Sequence, residues 1–199
     1  FEMTGQGLAE VSNPSELFLA DRGTPTPGSV VFAGVEGTRP VLVEFQALVA
    51  PTPYSQPRRS VVGWDSARLA MILAVLEARC GIPFSGLDVY LNVAGGLKIS
   101  EPAADLAVAS ALLSAREDIS LPADTVVYGE ISLSGALRPV SQAENRLKEA
   151  QKLGFTRALA PSNAKQSAVT DIQVTQIADL VSFVEEQFCA EKRLHVGDA

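Results

Sequence analysis

The chain has 199 residues, 47% of them hydrophobic and 20% charged, and a formal net charge of −7. That composition supplies a substantial core and excludes global disorder. The length fits one domain or a domain plus an appendage, and the net charge argues against a uniformly basic nucleic-acid binder.

In residues 1–28, Gly5, Gly7, Pro14, Gly23, Pro25, Pro27 and Gly28 interrupt every periodic stretch. An irregular segment is expected there, a tail or linker from a preceding domain. Ser12-Asn13-Pro14-Ser15 is a candidate start for a short helical turn reaching Glu16 and Leu19. Order is expected from Ser29. Residues 29–35 and 39–49 are β-branched runs separated by Glu36-Gly37-Thr38, which predicts a β-hairpin. Residues 50–60 hold Pro51, Pro53 and Pro57 and read as a connection.

Residues 65–79 predict a helix capped by Asp65 or Ser66 and ended by Gly81. Its apolar positions wrap most of the circumference, so it should be buried. Residues 88–94 predict a strand, followed by a Gly95-Gly96 loop. Residues 103–115, almost all Ala, Leu and Val, predict a second buried helix. A short buried strand follows at 125–128, with 131–133 as another candidate. Residues 142–153 predict an amphipathic helix ended by Gly154. Residues 157–160 predict a strand stopped by Pro161, residues 173–176 a further strand, and residues 177–188 a last helix. This alternation after Val61 predicts an α/β domain with some parallel pairing.

The apolar run from Leu69 to Leu76 is far shorter than the ~20 residues of a membrane span, and no signal-peptide pattern opens the chain. Starting at Phe1 rather than Met is what a fragment would do. Cys80 and Cys189 show no metal-ligand spacing. Reduced thiols in a cytoplasmic protein are the simpler reading, with a disulfide left open. Charge is unevenly spread. Between residues 138 and 165, Arg138, Arg146, Lys148, Lys152, Arg157 and Lys165 face Glu144 and Glu149, so local positive patches remain possible.

Two motifs carry the chemistry. Ser100-Glu101-Pro102-Ala103-Ala104-Asp105-Leu106 opens the second helix. Gly129-Glu130-Ile131-Ser132-Leu133-Ser134-Gly135 leads to Pro139 and then to a helix bearing Glu144. Together they resemble the two halves of the Lon protease active site, a serine–lysine dyad. On that resemblance the serine falls on Ala103 and the lysine on Glu144. A dyad needs a hydroxyl to attack and an amine of lowered pKa to take its proton. A methyl group and a carboxylate supply neither. The resemblance therefore implies a protease scaffold without its dyad: a mixed α/β (α+β) sheet of the Lon proteolytic-domain type, similar to ribosomal protein S5 domain 2.

A more specific resemblance covers almost the whole chain. Phe1-Glu2-Met3, Val11-Ser12-Asn13-Pro14-Ser15, Arg58-Arg59, Gly63-Trp64-Asp65, Arg68-Leu69, Asn92-Val93-Ala94-Gly95-Gly96 and Ala104–Ala107 resemble the C-terminal part of the bacterial RadA (Sms) DNA-repair family. This resemblance implies that residues 1–28 are the end of a RecA-like ATPase domain and a linker. It makes residues 29–190 a Lon-like domain and residues 191–199 a flexible tail. It also implies a four-cysteine zinc finger and an ATPase outside this segment, with ATP, Mg and Zn bound there and no cofactor or metal here. The assembly implied is a cytoplasmic hexamer that drives branch migration of double-stranded or branched DNA, with a recombinase as a further partner and no membrane. No Gly-x-x-x-x-Gly-Lys-Ser/Thr loop occurs in the 199 residues, and Gly95-Gly96 lacks the lysine and hydroxyl that hold phosphate and Mg.

Candidate DNA contacts are Arg58 and Arg59 after the Pro-rich connection, Arg68 downstream, and Arg146, Lys148 and Lys152 on the third helix. The simpler alternatives are solvated arginines, an ion pair to Asp65, and a solvated helix face interrupted by Glu149. Lys148 is placed to pair with Glu144 at i, i+4, and Lys98 to pair with Glu101 or Glu144. Ser100 is expected to cap the helix that begins near Pro102. Ser110 and Ser114 are expected to bond back to carbonyls one turn earlier. Trp64 reads as a core anchor or an interface aromatic. The sole histidine, His195, lies in the polar tail, which disfavours a Ser-His-Asp site. Two alternatives stand beside the scaffold reading: a Lon-type serine peptidase with a relocated dyad, and an interaction module without DNA contact.

Overall fold

The computed structural model describes residues 2–4, 7–9, 24–162 and 170–189. The candidate helical turn near Ser12, Lys165, His195 and the tail lie outside them. Within the segment expected to be irregular, β1 (Glu2–Thr4) and β2 (Gly7–Ala9) form a small antiparallel pair.

The two β-branched runs fold as expected into the antiparallel β3 (Ser29–Glu36) and β4 (Arg39–Pro51), joined through Gly37 at φ 63°. β4 continues two residues beyond expectation. The Pro-rich connection then ends early, because β5 (Arg59–Val62) adds a four-residue strand at the sheet edge. β5 follows Pro57, and an edge position is where a proline-flanked strand is tolerated. α1 (Ser66–Cys80) starts at Asp65, whose Oδ1 accepts the Arg68 N–H at 2.7 Å, and ends at Gly81 with φ 66°. It is the crossover that joins β5 to the parallel β6 (Leu87–Val93), so it covers one face of that pair.

A 3₁₀ turn, Pro102–Ala104, leads into α2 (Asp105–Glu117), in which every residue from Asp105 to Ser114 is buried. α2 packs on β3 and β4 and against α1, which is why it is apolar all round. β7 (Thr125–Val127) is parallel to β3. β8 (Glu130–Ile131) and β9 (Leu137–Arg138) form a separate two-residue hairpin. α3 (Ala143–Lys152) packs on β3 and β4. β10 (Arg157–Pro161) and β11 (Gln173–Ile177) complete the sheet in the order β11-β10-β7-β3-β4-β6-β5. Four of its pairings are parallel, and the two that involve β4 are antiparallel. α4 (Leu180–Val184) starts three residues later than expected, where Asp179 Oδ1 accepts the Ser182 N–H at 2.9 Å, and runs into a π-helical turn, Glu185–Cys189.

The core forms between the sheet and the helices. Phe32, Phe45 and Trp64 stack edge to face at centroid distances of 5.9 and 6.2 Å, so Trp64 is a core anchor. Ser110 donates to the Leu106 carbonyl at 2.6 Å, as expected. Ser114 does not bond back. Its hydroxyl donates forward to the Ile119 carbonyl at 2.6 Å and accepts the Gly28 N–H at 2.8 Å. The long-range Gly28 contact supplies a partner that a local pattern cannot show. No described helix is long and apolar enough to cross a membrane.

Candidate functional site

The two motif halves meet through the backbone. The Gly129 N–H donates to the Ala103 carbonyl at 2.7 Å, and the Leu106 N–H donates to the Gly129 carbonyl at 3.0 Å. Gly129 is glycine for a steric reason, since a Cβ there would lie 3.1 Å from Leu137 Cδ2 and 3.3 Å from Pro161 Cγ. The Ala103 methyl group is buried in the core. Glu144 is about half exposed and its carboxylate pairs with Lys148 Nζ at 2.6 Å, the i, i+4 pair the spacing predicts.

Two acid–arginine pairs, each with one fully buried member, brace this junction. Asp105, with no exposed surface, accepts a fork from Arg68: Nε to Oδ1 and Nη2 to Oδ2, both at 2.6 Å. Its Oδ2 also accepts the Ile131 N–H at 3.0 Å. Burial pushes the Asp105 carboxyl up, against the pull of Arg68 and the Ile131 N–H. The hydrogen bond to Asp105 raises Arg68 in turn. One carboxylate thus ties α1, α2 and β8 together. Arg68 therefore commits two of its donors inward, with its side chain still a quarter exposed: an ionised carboxylate in the core needs a charged partner.

The second brace is Glu101 with Arg146, whose guanidinium is fully buried. Arg146 Nε donates to the Ser141 carbonyl at 3.0 Å, and Nη1 donates to the Ala33 carbonyl at 2.7 Å and to Glu101 Oε2 at 3.2 Å. Nη2 donates to Glu101 Oε1. Glu101 Oε2 also accepts the Val35 N–H at 2.9 Å. The pair links the turn before α2 to β3 and to the start of α3. Arg146 lies 5.7 Å from the ring centroid of Tyr128, whose phenol burial pushes up to about 12, partly offset by the Arg146 charge. The Tyr128 hydroxyl has no hydrogen-bond partner among the described residues. Arg146, proposed from the sequence as a DNA contact, is fully buried with its donors spent inside the fold. Ser100 does not cap either. Glu101 occupies the cap position, without a side-chain cap bond, and its carboxylate is committed to Arg146.

The remaining candidates are on the surface. Arg58 is exposed, with its guanidinium 4.6 Å from the Tyr54 ring centroid and its backbone N–H on Asp88 Oδ1 at 2.7 Å. The Arg59 guanidinium donates to the carbonyls of Phe84 at 2.9 Å, Arg58 at 3.0 Å and Leu87. Lys152 is largely exposed and lies 3.5 Å from Glu149. Exposed Lys98 holds neither expected partner, since Arg146 takes Glu101 and Lys148 takes Glu144. Asp65 caps α1 and does not pair with an arginine side chain.

Sequence reading missed Glu101, Asp105 and Tyr54. For Asp105 a signal exists: an acid opening a helix whose next ten residues are all apolar or serine must be paired if that stretch is buried. Tyr54 precedes Arg58 in an irregular loop, and nothing in the spacing announces the stacking. The described residues hold no cluster of three or more His, Cys, Asp or Glu suited to a metal ion. Cys80 and Cys189 are free thiols, and burial raises that of Cys80.

The class of protein follows from fold and matched sequence together. This α/β chain belongs to the family described as subunit ChlI of Mg-chelatase, whose family model matches residues 65–164, a stretch that contains both motif halves. The individual relatives are more specific. The chain is 58% identical over 196 residues to the DNA repair protein RadA of Brucella abortus, covering 96% of this chain and 42% of that protein. It is 54% identical over 161 residues to the DNA repair protein RadA of Synechocystis, covering 81% and 32%. For that of Pseudomonas aeruginosa the identity is 48% over 189 residues, covering 94% and 42%. The chain thus matches a segment of RadA proteins, about two fifths of the length of the Brucella and Pseudomonas relatives.

Proposed function

We propose that the chain is a non-proteolytic, Lon-like scaffold domain of a RadA-type DNA-repair protein, with the S5 domain 2-like fold. It supports assembly into a hexameric ring and contacts DNA for a RecA-like ATPase that drives branch migration. Residues 29–190 are the scaffold, residues 1–28 the junction with the ATPase and residues 191–199 a tail. ATP, Mg and Zn belong to segments outside it, a recombinase is a further partner, and the setting is the cytoplasm.

The observation that supports this reading is the way the two motif halves are held. Ala103 and Glu144 carry no dyad chemistry, yet the surrounding backbone is joined by paired hydrogen bonds and braced by Asp105–Arg68 and Glu101–Arg146. The scaffold is kept where the reactive groups are not. For DNA, Arg58 has the freest guanidinium of the candidate arginines, and its Tyr54 neighbour offers an aromatic face beside a phosphate contact. Lys148 and Lys152 are the secondary candidates, each already beside an acid on its own helix.

Two measurements test this. A fluorogenic-peptide assay should show no cleavage, whereas turnover abolished in Ser100→Ala would favour a relocated dyad. Duplex DNA affinity should fall with salt, and Arg58→Ala should reduce the log–log salt slope by about one. An affinity insensitive to both salt and Arg58→Ala would favour an interaction module without DNA contact.

A further inference from the structure

The chain enters β3 through a strap, residues 24–28, whose last residue is held by two different elements. Thr24, Pro25 and Thr26 are exposed, Pro27 is half-buried and Gly28 is buried. Thr26-Pro27-Gly28-Ser29 is a hydrogen-bonded turn, with the Ser29 N–H donating to the Thr26 carbonyl at 3.1 Å. Proline at its second position and glycine, at φ 87°, at its third suit a type II turn. The Gly28 carbonyl accepts the Ala47 N–H at 2.8 Å, which carries the β3–β4 ladder one residue past Ser29. The Gly28 N–H donates to Ser114 Oγ at 2.8 Å. Ser114 is fully buried near the end of α2, and its own hydrogen goes to the Ile119 carbonyl, so the hydroxyl is committed both as acceptor and as donor.

This contact has no slack. A Cβ at position 28 would lie 2.2 Å from the Ala47 carbonyl oxygen and 3.2 Å from Ala115 Cβ. Freeing Gly28 would strip the buried Ser114 oxygen and the Ala47 N–H of their partners, and unmade bonds of that kind are expensive. Upstream the strap is different. Thr24, Pro25, Thr26 and Pro27 line a cleft of about 340 Å³ together with Glu44 and Gln46, so that part stands off the sheet rather than packing on it.

We infer that Gly28 is a fixed anchor and not a hinge: strap and domain turn together, and a displacement arriving along the strap is delivered to the end of α2. That helix is suited to receive it. It is buried from Asp105 to Ser114, and Asp105 holds Arg68 and the Ile131 N–H. One buried helix thus meets the strap near one end and the junction of the two motif halves at the other, about 14 Å away at 1.5 Å per residue. The anchor is a property of this chain's own geometry. Its use, passing motion between an ATPase and the scaffold, rests on the reading of residues 1–28 as their junction.

Backbone order and amide exchange test the anchor on the 199-residue chain. NMR relaxation should give Gly28 and Ser29 order parameters of about 0.85, the level of a rigid backbone, and values below about 0.6 would make position 28 a hinge and overturn the inference. The Gly28 amide should exchange as slowly as the amides of α2. Ser114→Ala should speed that exchange about tenfold or more, the equivalent of one lost hydrogen bond. A Gly28 amide that exchanges like an open loop would overturn the anchor, and so would one that stays as slow in folded Ser114→Ala. The order parameters of the unmodified chain decide the matter if that variant does not fold. A chain that neither assembles nor binds DNA would sink the scaffold reading and leave these values as expected.

Discussion

One substitution can place a serine hydroxyl at Ala103, the nucleophile position on the proposed reading, but its activation does not follow. A lysine acts as a base when burial or a neighbouring cation lowers its pKa. Position 144 is about half exposed, so solvent screens the Lys148 charge beside it and keeps a lysine there protonated. Ala103→Ser combined with Glu144→Lys should leave peptide cleavage at background in a fluorogenic assay. The Tyr128 hydroxyl has no partner among the described residues, and removing a buried group that makes no hydrogen bond costs little. Tyr128→Phe should be neutral or stabilising in urea unfolding, and a loss above about 1 kcal/mol would mean that the hydroxyl has a partner. Asp88 gives a pH dependence. The Arg58 N–H holds its carboxyl below the usual range, so the folded chain binds that proton more weakly than the unfolded one. Its contribution is present above about pH 4 and is lost as pH falls further. The gap in urea midpoint between the unmodified chain and Asp88→Asn should therefore be larger at pH 7 than at pH 3.

At the scale of elements, the braces set the stability of the junction. Removing one partner of a buried ion pair leaves a charge stranded, at about 3–5 kcal/mol. Arg146→Ala, which abandons Glu101, and Arg68→Ala, which abandons Asp105, should each lower unfolding stability on that scale. Lys148→Ala, on the surface, should change it by less than about 1 kcal/mol. Much of the element layout was legible because it rests on local chemistry. Asp65 and Gly81 bound α1 where the cap residues indicated, and the Glu36-Gly37-Thr38 turn joins the first two long strands. What was not legible depends on distant partners. β5 is four residues long and exists because β6 pairs with it. The β8–β9 hairpin is too short to show a period. α4 starts at Leu180 because β11 claims the residues as far as Ile177. Arg146 looked like part of a basic helix face until Glu101 and the Ala33 carbonyl, far away in sequence, enclosed it.

For the whole molecule, the sequence motifs located the junction between the two halves but not what holds it. On the proposed Lon-like reading they name Ala103 and Glu144 as the positions of the dyad. The bracing carboxylates Glu101 and Asp105 become apparent only when α1, α2, α3 and the sheet are assembled around them. Among the six candidate DNA contacts the same assembly encloses Arg146 and ties Arg68 to Asp105, and leaves Arg58 exposed beside Tyr54. On that proposed reading the surfaces are what the fold has to offer, and assembly is the use proposed for them. Light scattering of the unmodified chain across the micromolar range tests that most directly. The account predicts a mass rising well above the 21.0 kDa of one chain toward a six-membered ring, and a strict 21.0 kDa monomer at every concentration would contradict it.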